Sequence, residues 1–227
     1  MNCLEKEGLI KLLLDKYMRE LFPDLQLRPP LYYNWAFSLR FELGENYDAD
    51  NIYENCPYLT KVYKRAVTLF ESLHSSEDDI YIVVDVDDFG YGEIFQHKLN
   101  IFSKYINKKA VLARLKQHTI PYIFSEDDAD ETFRTHRFFL KCKTSDVQYI
   151  PMLKAICNQD MGIRPSISYR TYFINANKDT IFHIYDDRGC DLLATSRDGI
   201  QKMYEEYNDW ILDYDREGID NIFKKDS

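Results

Sequence analysis

The sequence contains few glycines, 8 in 227 residues, and none of them belongs to a motif that binds phosphate or builds a catalytic turn. A Walker A loop, a Rossmann fingerprint and the Gly-x-Ser-x-Gly turn of α/β-hydrolases are all missing. The five histidines are never three or four residues apart, the spacing that brings two zinc ligands together on a helix. These absences favour a non-enzymatic protein without a cofactor, and they leave open an enzyme that uses no standard motif.

Long apolar runs and paired cysteines are also missing. The longest clean apolar run covers residues 80–84, far short of the roughly 20 residues that cross a bilayer. The five cysteines are scattered without any two-residue spacing, which is typical of reduced thiols rather than of disulfides or a zinc site. Glu5 and Glu7 precede any apolar stretch, unlike the start of a secretory signal. We therefore expect a soluble, cytoplasmic protein that does not bind a membrane.

Positive charge is in short supply, with 29 lysines and arginines against 38 aspartates and glutamates and a net charge of −9. Nucleic-acid binding requires cations that displace counterions from phosphate, so the balance disfavours a nucleic-acid partner. A basic protein partner suits the charge, because opposite fields speed encounter. The 18 tyrosines provide amphipathic contact surface, useful inside a sheet and in a protein interface.

Hydrophobic periodicity predicts the secondary structure of the N-terminal half. A helical stripe runs from Ile10 to Leu21, and a second helix begins at Pro57 and extends to Leu73. Apolar residues alternate with small or polar ones over residues 35–43, which predicts a strand with one buried face. The apolar run at residues 80–84 predicts a central strand.

The C-terminal half mixes both periods. We predict helices at residues 99–105 and 109–117, a short strand at 122–124, a strand at 135–143, and a helix from Pro151 to about 162. Strands at 169–174 and 180–185 flank a turn-forming segment and predict a hairpin. A strand at 190–194, a helix opened by a Thr195–Asp198 capping box and a last helix from Asp215 follow.

The predicted fold class is therefore α+β, with a mixed, mainly antiparallel sheet, helices packed on it, and a C-terminal β-hairpin followed by a helix. A length of 227 residues suits a single domain spanning residues 1–227. A sub-division into an N-terminal helix-strand-helix-strand half, residues 1–90, and a C-terminal half, residues 91–227, stays open.

Three segments together resemble one bacterial family. They are residues 39–44 (LRFELG), residues 65–71 (RAVTLFE) with 79–84 (DIYIVV), and residues 182–191 (FHIYDDRGCD) with 210–217 (WILDYDRE). In these segments the chain resembles domain of unknown function 3885, a family common in bacilli and related Gram-positive bacteria. The resemblance spans roughly residues 35–223, and it implies one coherent domain without naming a reaction.

The segment from Tyr185 to Asp191 is the first candidate binding site, with Trp210 nearby in the family pattern. Aspartates accept backbone N–H groups in tight turns, and we expect Gly189 to provide a positive φ. Arg188 has two interpretations. It is either a structural latch, paired with Asp186, Asp191 or the distant Asp213 and Asp215, or an exposed anion-binding group. We list the candidate binding residues as Tyr185, Asp186, Asp187, Arg188, Asp191 and Trp210.

A second candidate site lies directly after the predicted central strand. Asp85 and Asp87 are two residues apart, so in a strand their side chains point to the same face of the sheet. Carboxylates at a strand end can hold magnesium. Further ligands could come from residues 126–131, which contain five carboxylates. The competing interpretation is a solvated strand end.

Three functions are consistent with these features. The leading hypothesis is a non-enzymatic intracellular protein that recognises another protein through an acidic, tyrosine-rich surface, as an immunity protein or inhibitor does. The alternatives are a metal-dependent hydrolase or nuclease that uses Asp85 and Asp87, and a small-ligand sensor with an apolar cavity near Tyr185 and Trp210.

Overall fold

A computed structural model describes residues 14–90, 98–128 and 132–224. Within these residues seven strands form a single sheet in the order β1-β7-β6-β5-β2-β4-β3, and every pairing is antiparallel. The strands are β1 (Ser38–Glu42), β2 (Asp79–Asp88), β3 (Lys116–Pro121), β4 (Arg134–Lys143), β5 (Arg170–Asn175), β6 (Thr180–Ile184) and β7 (Gly189–Ala194). The α+β class is confirmed.

Among the described residues seven helices pack against this sheet, six of them on one face and the first on the other. They are α1 (residues 14–21), α2 (Pro57–Leu73), α3 (Lys98–Tyr105), α4 (Lys109–Leu112), α5 (Tyr149–Cys157), α6 (Asp198–Glu206) and α7 (Arg216–Phe223). All but α1 contribute to the larger apolar core, which α2 joins through side chains such as Val62, Leu69 and Phe70. None of the described helices is both long enough and apolar enough to cross a membrane.

The opposite face carries a smaller core under the N-terminal segment, residues 14–35. Leu14, Phe22 and Leu31 cover Tyr81 and Val83 of β2. Successive residues of β2 therefore enter different cores, because side chains alternate across a strand. The prediction that residues 80–84 form a central strand is confirmed, since β2 lies between β5 and β4.

Local chemistry explains where α2 begins and ends. Pro57 occupies its first turn, where the missing N–H costs nothing. The Cys56 sulfur accepts the N–H of Leu59, and the N–H of His74 closes the last turn on the Phe70 carbonyl. The predicted helix bounds are therefore confirmed at both ends.

The middle of the chain differs from the prediction. The expected helix at residues 109–117 stops at Leu112, and the chain enters β3 at Lys116. The short strand expected at 122–124 is absent there, because β3 ends at Pro121. Edge strand β3 is only half-buried, with little apolar alternation, so its pairing with β4 decides its conformation rather than its own pattern.

The C-terminal hairpin and its following helices agree with the sequence pattern, with one exception. Strands β5 and β6 pair around residues 176–179, and α6 and α7 follow β7. The Thr195 capping box does not form, since α6 is capped at Arg197 without a side-chain bond. Both strands from residues 1–90 pair with strands from residues 91–227 in this one sheet. Strand β1 lies beside β7, and β2 lies between β5 and β4.

Candidate functional site

A cleft of about 730 Å³ lies beside the end of edge strand β1. Its walls come from five parts of the sequence that the fold brings together. They are the Pro29-Pro30 segment, residues 40–47, Tyr58 of α2, residues 185–188 before β7, and Leu212. We call it the tyrosine cleft, after Tyr47, Tyr58 and Tyr185 in its lining.

Arg40 is the most enclosed cation in the lining of the tyrosine cleft, with a side chain that is 11% exposed. Its Nε donates to Asp191 at 2.8 Å across the β1–β7 pairing, and its Nη1 lies 3.4 Å from Asp215, just before α7. Its guanidinium carbon lies 5.0–5.6 Å from the ring centroids of Tyr32, Tyr33 and Tyr185. Arg40 thus ties the edge strand, the N-terminal segment and the last helix together.

Arg188 does not link these elements, so the part of the latch hypothesis that joined it to distant aspartates is wrong. Its side chain is 77% exposed and pairs with Asp186, two residues away, rather than with Asp191, Asp213 or Asp215. Asp186 is buried and also accepts the N–H of Arg188 at 2.7 Å, so the turn is held locally. The residue that links the hairpin to the last helix is Arg40.

Two glycines let tyrosines lie directly against the backbone. A Cβ on Gly189 would overlap the Tyr185 hydroxyl and come within 2.6 Å of the Phe41 carbonyl oxygen. A Cβ on Gly44 would overlap the Tyr58 hydroxyl in the same way. The expected positive φ of Gly189 is wrong, since among the described glycines only Gly90 and Gly162 have one. Close approach, not backbone freedom, requires glycine here.

Asp187 is buried beneath the turn. Its carboxylate accepts the hydroxyl of Tyr58, which connects the turn to the first turn of α2. Burial raises the pKa of Asp187, and the negative charge of Asp186 raises it further, although the Tyr58 hydrogen bond acts the other way. Asp187 therefore positions Tyr58, and it is the neighbouring Asp186 and Arg188 that line the cleft.

Glu42 is the carboxylate of the tyrosine cleft that none of the described residues satisfies. Its backbone carbonyl accepts from Arg65, but no described side chain pairs with its carboxylate. Neighbouring Glu45, in contrast, binds both Lys61 and Arg65. Burial raises the pKa of Glu42, followed by repulsion from Glu45. A half-buried carboxylate whose pKa is raised and that has no paired cation attracts one.

Three exposed tyrosines lie in the cleft lining or on the side of Arg40. Tyr33 exposes 55% of its surface, Tyr47 exposes 56% and Tyr214 exposes 86%. Tyr33 contacts Arg40 with its ring and donates its hydroxyl to Asp215 at 2.8 Å. Burial and that hydrogen bond raise the pKa of Tyr33, and nearby Tyr214 adds a smaller contribution. Exposed aromatic surface at this density is typical of a binding surface.

Trp210 lies apart from the other candidate binding residues. Its ring packs on Tyr207 at 4.9 Å between centroids, and the Arg65 guanidinium lies 5.0 Å from it. It belongs to the helix-side core and is not part of the cleft lining. The cavity expected between Tyr185 and Trp210 is therefore a cleft that contains Tyr185 without Trp210.

The two carboxylates of the second candidate site face arginines. Asp85 accepts two hydrogen bonds from Arg137, at 2.8 and 2.6 Å, and Asp87 accepts two from Arg170, at 2.5 and 2.6 Å. Both aspartates point to the same face of β2, as predicted. In the part of the chain that is described, no three histidine, cysteine, aspartate or glutamate side chains are arranged to hold a metal ion. The metal site stays a prediction.

Sequence reasoning missed the residues that form most of the cleft. Arg40 and Glu42 occupy the polar positions of the alternating strand, and such positions are usually assigned to solvent. Tyr47 and Tyr58 carry no motif at all. The signal that was available is the pair of glycines, Gly44 and Gly189, which both lie within the family-like segments.

Comparison with known proteins agrees with the resemblance found in the sequence. A family model described as "Domain of unknown function (DUF3885)" matches residues 14–215. "Uncharacterized protein YnaE" of Bacillus subtilis is 34% identical over 206 residues, which cover 87% of this chain and 96% of that protein. No solved structure matches the chain significantly.

Proposed function

The chain belongs to the DUF3885 family, and we propose that it is a non-enzymatic protein that recognises a basic protein through the acidic, tyrosine-rich surface around the tyrosine cleft. The observation that carries this proposal is the exposure of three tyrosines. Tyr47 lines the cleft that also contains Glu42, Tyr33 lies against Arg40 in the cleft wall, and Tyr214 lies near Tyr33. Binding without catalysis is the behaviour of an inhibitor or an immunity protein.

Exposed tyrosine is well suited to this role. Its ring contributes a large apolar contact area with few rotatable bonds, and its hydroxyl finds a polar partner at an interface. The net charge of −9 also supports the proposal. Its long-range field raises the encounter rate with a basic protein and repels acidic proteins.

Site-specific photo-crosslinking tests the proposal. A benzophenone amino acid is placed at Tyr47 or Tyr214 and, as the matched control, at exposed Gln117 on β3, the opposite edge of the sheet. The expected result is one saturable crosslinked protein at the first two positions and none at the third. Equal crosslinking at all three positions, or none at any, would contradict the proposal.

Salt dependence gives a second readout for the same partner. An interface steered by opposite charge forms more slowly as salt rises, since the Debye length falls from about 10 Å at 0.1 M to about 3 Å at 1 M. The association rate of the crosslinked partner is therefore expected to fall with ionic strength while its dissociation rate changes little. A rate that is independent of salt would rule out recognition by charge.

A further inference from the structure

We infer that the tyrosine cleft is a receptor for an arginine side chain of the partner, with the Glu42 carboxylate as its anchor. The inference rests on the proposed function and narrows it to one kind of contact. It follows from three features of the cleft: a carboxylate that no described side chain satisfies, aromatic walls, and a charge balance that leaves one negative charge without a partner among the described residues.

Glu42 is positioned by β1 and faces the cleft. It is half-buried, at the last residue of the strand, opposite Gly189 in the register. A carboxylate that is partly buried without a paired cation is unfavourable. Binding of a cation in the cleft therefore stabilises the Glu42 carboxylate. The raised pKa of Glu42 agrees with that direction.

The other charged groups of the cleft already have partners. Arg40 is matched by Asp191 and Asp215, and Glu45 is matched by Lys61 and Arg65. Arg188 is matched by Asp186. Glu42 therefore contributes the negative charge that remains, and an acidic ligand group would meet it with repulsion.

The walls favour a guanidinium over an ammonium group. Tyr47 packs edge-on against Tyr58 at 5.4 Å between ring centroids, and Tyr185 faces the same space. A planar guanidinium stacks on such rings and donates two parallel hydrogen bonds to one carboxylate, which a lysine cannot do. The protein already holds one guanidinium among aromatic rings, that of Arg40 among Tyr32, Tyr33 and Tyr185.

Nuclear magnetic resonance titration with a blocked tripeptide, acetyl-Gly-Arg-Gly-amide, tests the inference on the full chain. The expected result is saturable shift changes confined to residues around Glu42, Tyr47 and Tyr185. The citrulline analogue, which keeps the shape and loses the charge, is expected to bind at least about tenfold more weakly. Equal binding of the citrulline or the lysine peptide would overturn the preference for arginine.

Glu42→Gln is the decisive variant, because it keeps the size of the side chain and removes its charge. Affinity for the arginine peptide is expected to fall by about tenfold or more. The matched control is Glu77→Gln, an exposed glutamate at the opposite end of the sheet, which is expected to bind as the unmodified protein does. Unchanged affinity in Glu42→Gln, with its fold intact by the same spectra, would overturn the inference.

The two proposals fail in different ways. If Tyr47 still crosslinks a basic protein while the Glu42→Gln variant binds the arginine peptide normally, the arginine receptor is wrong and the protein-binding function stands. If the peptide binds at Glu42 but no protein is crosslinked at Tyr47 or Tyr214, recognition of a protein is wrong and the cleft binds a small guanidinium compound.

Discussion

Arg40 and Arg188 lie in the wall of the same cleft, and each forms an ion pair with an aspartate of the C-terminal hairpin, but their surroundings differ. The Arg40 side chain is 11% exposed, pairs with two carboxylates and reaches from β1 to the segment before α7. The Arg188 side chain is 77% exposed and pairs with a carboxylate two residues away. Both arginines lie in the segments that resemble the family.

The difference shows that burial and sequence separation, rather than the presence of an ion pair, decide what such a pair does for the fold. Removing one partner of a buried pair leaves the other charge without compensation in a low-dielectric site. An exposed pair exchanges its interaction for hydration at little net cost. We therefore expect Arg40 to support the fold and Arg188 to act at the surface.

The largest effect is expected for Arg40→Ala. It leaves Asp191, which is completely buried, with only the N–H groups of Leu31 and Tyr32 as donors. We expect the free energy of unfolding to fall by about 3–5 kcal/mol. Urea denaturation followed by circular dichroism measures it, and a loss below about 1 kcal/mol would show that Arg40 and Arg188 are equivalent.

His74 extends the comparison to a buried group with no charge partner. Burial lowers its pKa from 6.5 to about 4, because the hydrogen bond to the Phe70 carbonyl raises it by less. The other ring nitrogen has no partner among the described residues. Between these two pH values the unfolded chain binds a proton that the folded chain does not, so stability falls as pH decreases from about 6.5 to 4. The loss attributable to His74 is about 3 kcal/mol.

Urea denaturation at pH 7, 5.5 and 4 measures this dependence. The matched variant is His74→Phe, which keeps an aromatic ring against Phe70, 3.9 Å away between centroids, and removes the titration. Its stability is expected to depend less on pH over this interval. Buried His183, whose pKa burial also lowers, contributes slope in the same direction, so the variant keeps part of the dependence. Identical slopes in both proteins would contradict the role of His74.

Gly189→Ala tests the close packing of the Tyr185 ring against the backbone of Gly189. The added methyl group would displace the Tyr185 ring, which lies 5.2 Å from the Arg40 guanidinium. We expect a loss of about 1–3 kcal/mol, as is usual for an added methyl group in a packed site. If the free energy of unfolding of the variant lies within about 0.5 kcal/mol of that of the unmodified protein, as is typical of surface substitutions, the close packing at Gly189 would be contradicted.

The smallest effect on stability is expected for Arg188→Ala. Because its side chain is mostly exposed, its ion pair with Asp186 contributes about 0–1 kcal/mol. The variant is expected to unfold at nearly the same urea concentration as the unmodified protein. A loss of several kcal/mol would restore the latch hypothesis for Arg188 and remove the contrast with Arg40.

The sequence predicted those parts of the fold whose local pattern and burial agree. Helix α2 has a proline at its start and a continuous apolar stripe, and β2 contains the unbroken apolar run of residues 80–84, so both were correct. Strand β3 failed because an edge strand with polar residues carries no strong period. In the cleft, Tyr185 and Arg188 were found through their motif. The strand pattern placed Arg40 and Glu42 on a face open to water or a partner, and it gave no sign that they belong to a site.

The sequence by itself determined the family, the α+β class, the acidic charge, and the hairpin with its Asp186-Asp187-Arg188-Gly189 turn. These depend on composition and on residues close together in the chain. Tertiary structure alone decided that Arg40 meets Asp191 and Asp215, 151 and 175 residues away, and that Arg188 stays at the surface. The physical reason is that ion-pair energy depends on distance and burial, and both are established only when β1 docks against β7.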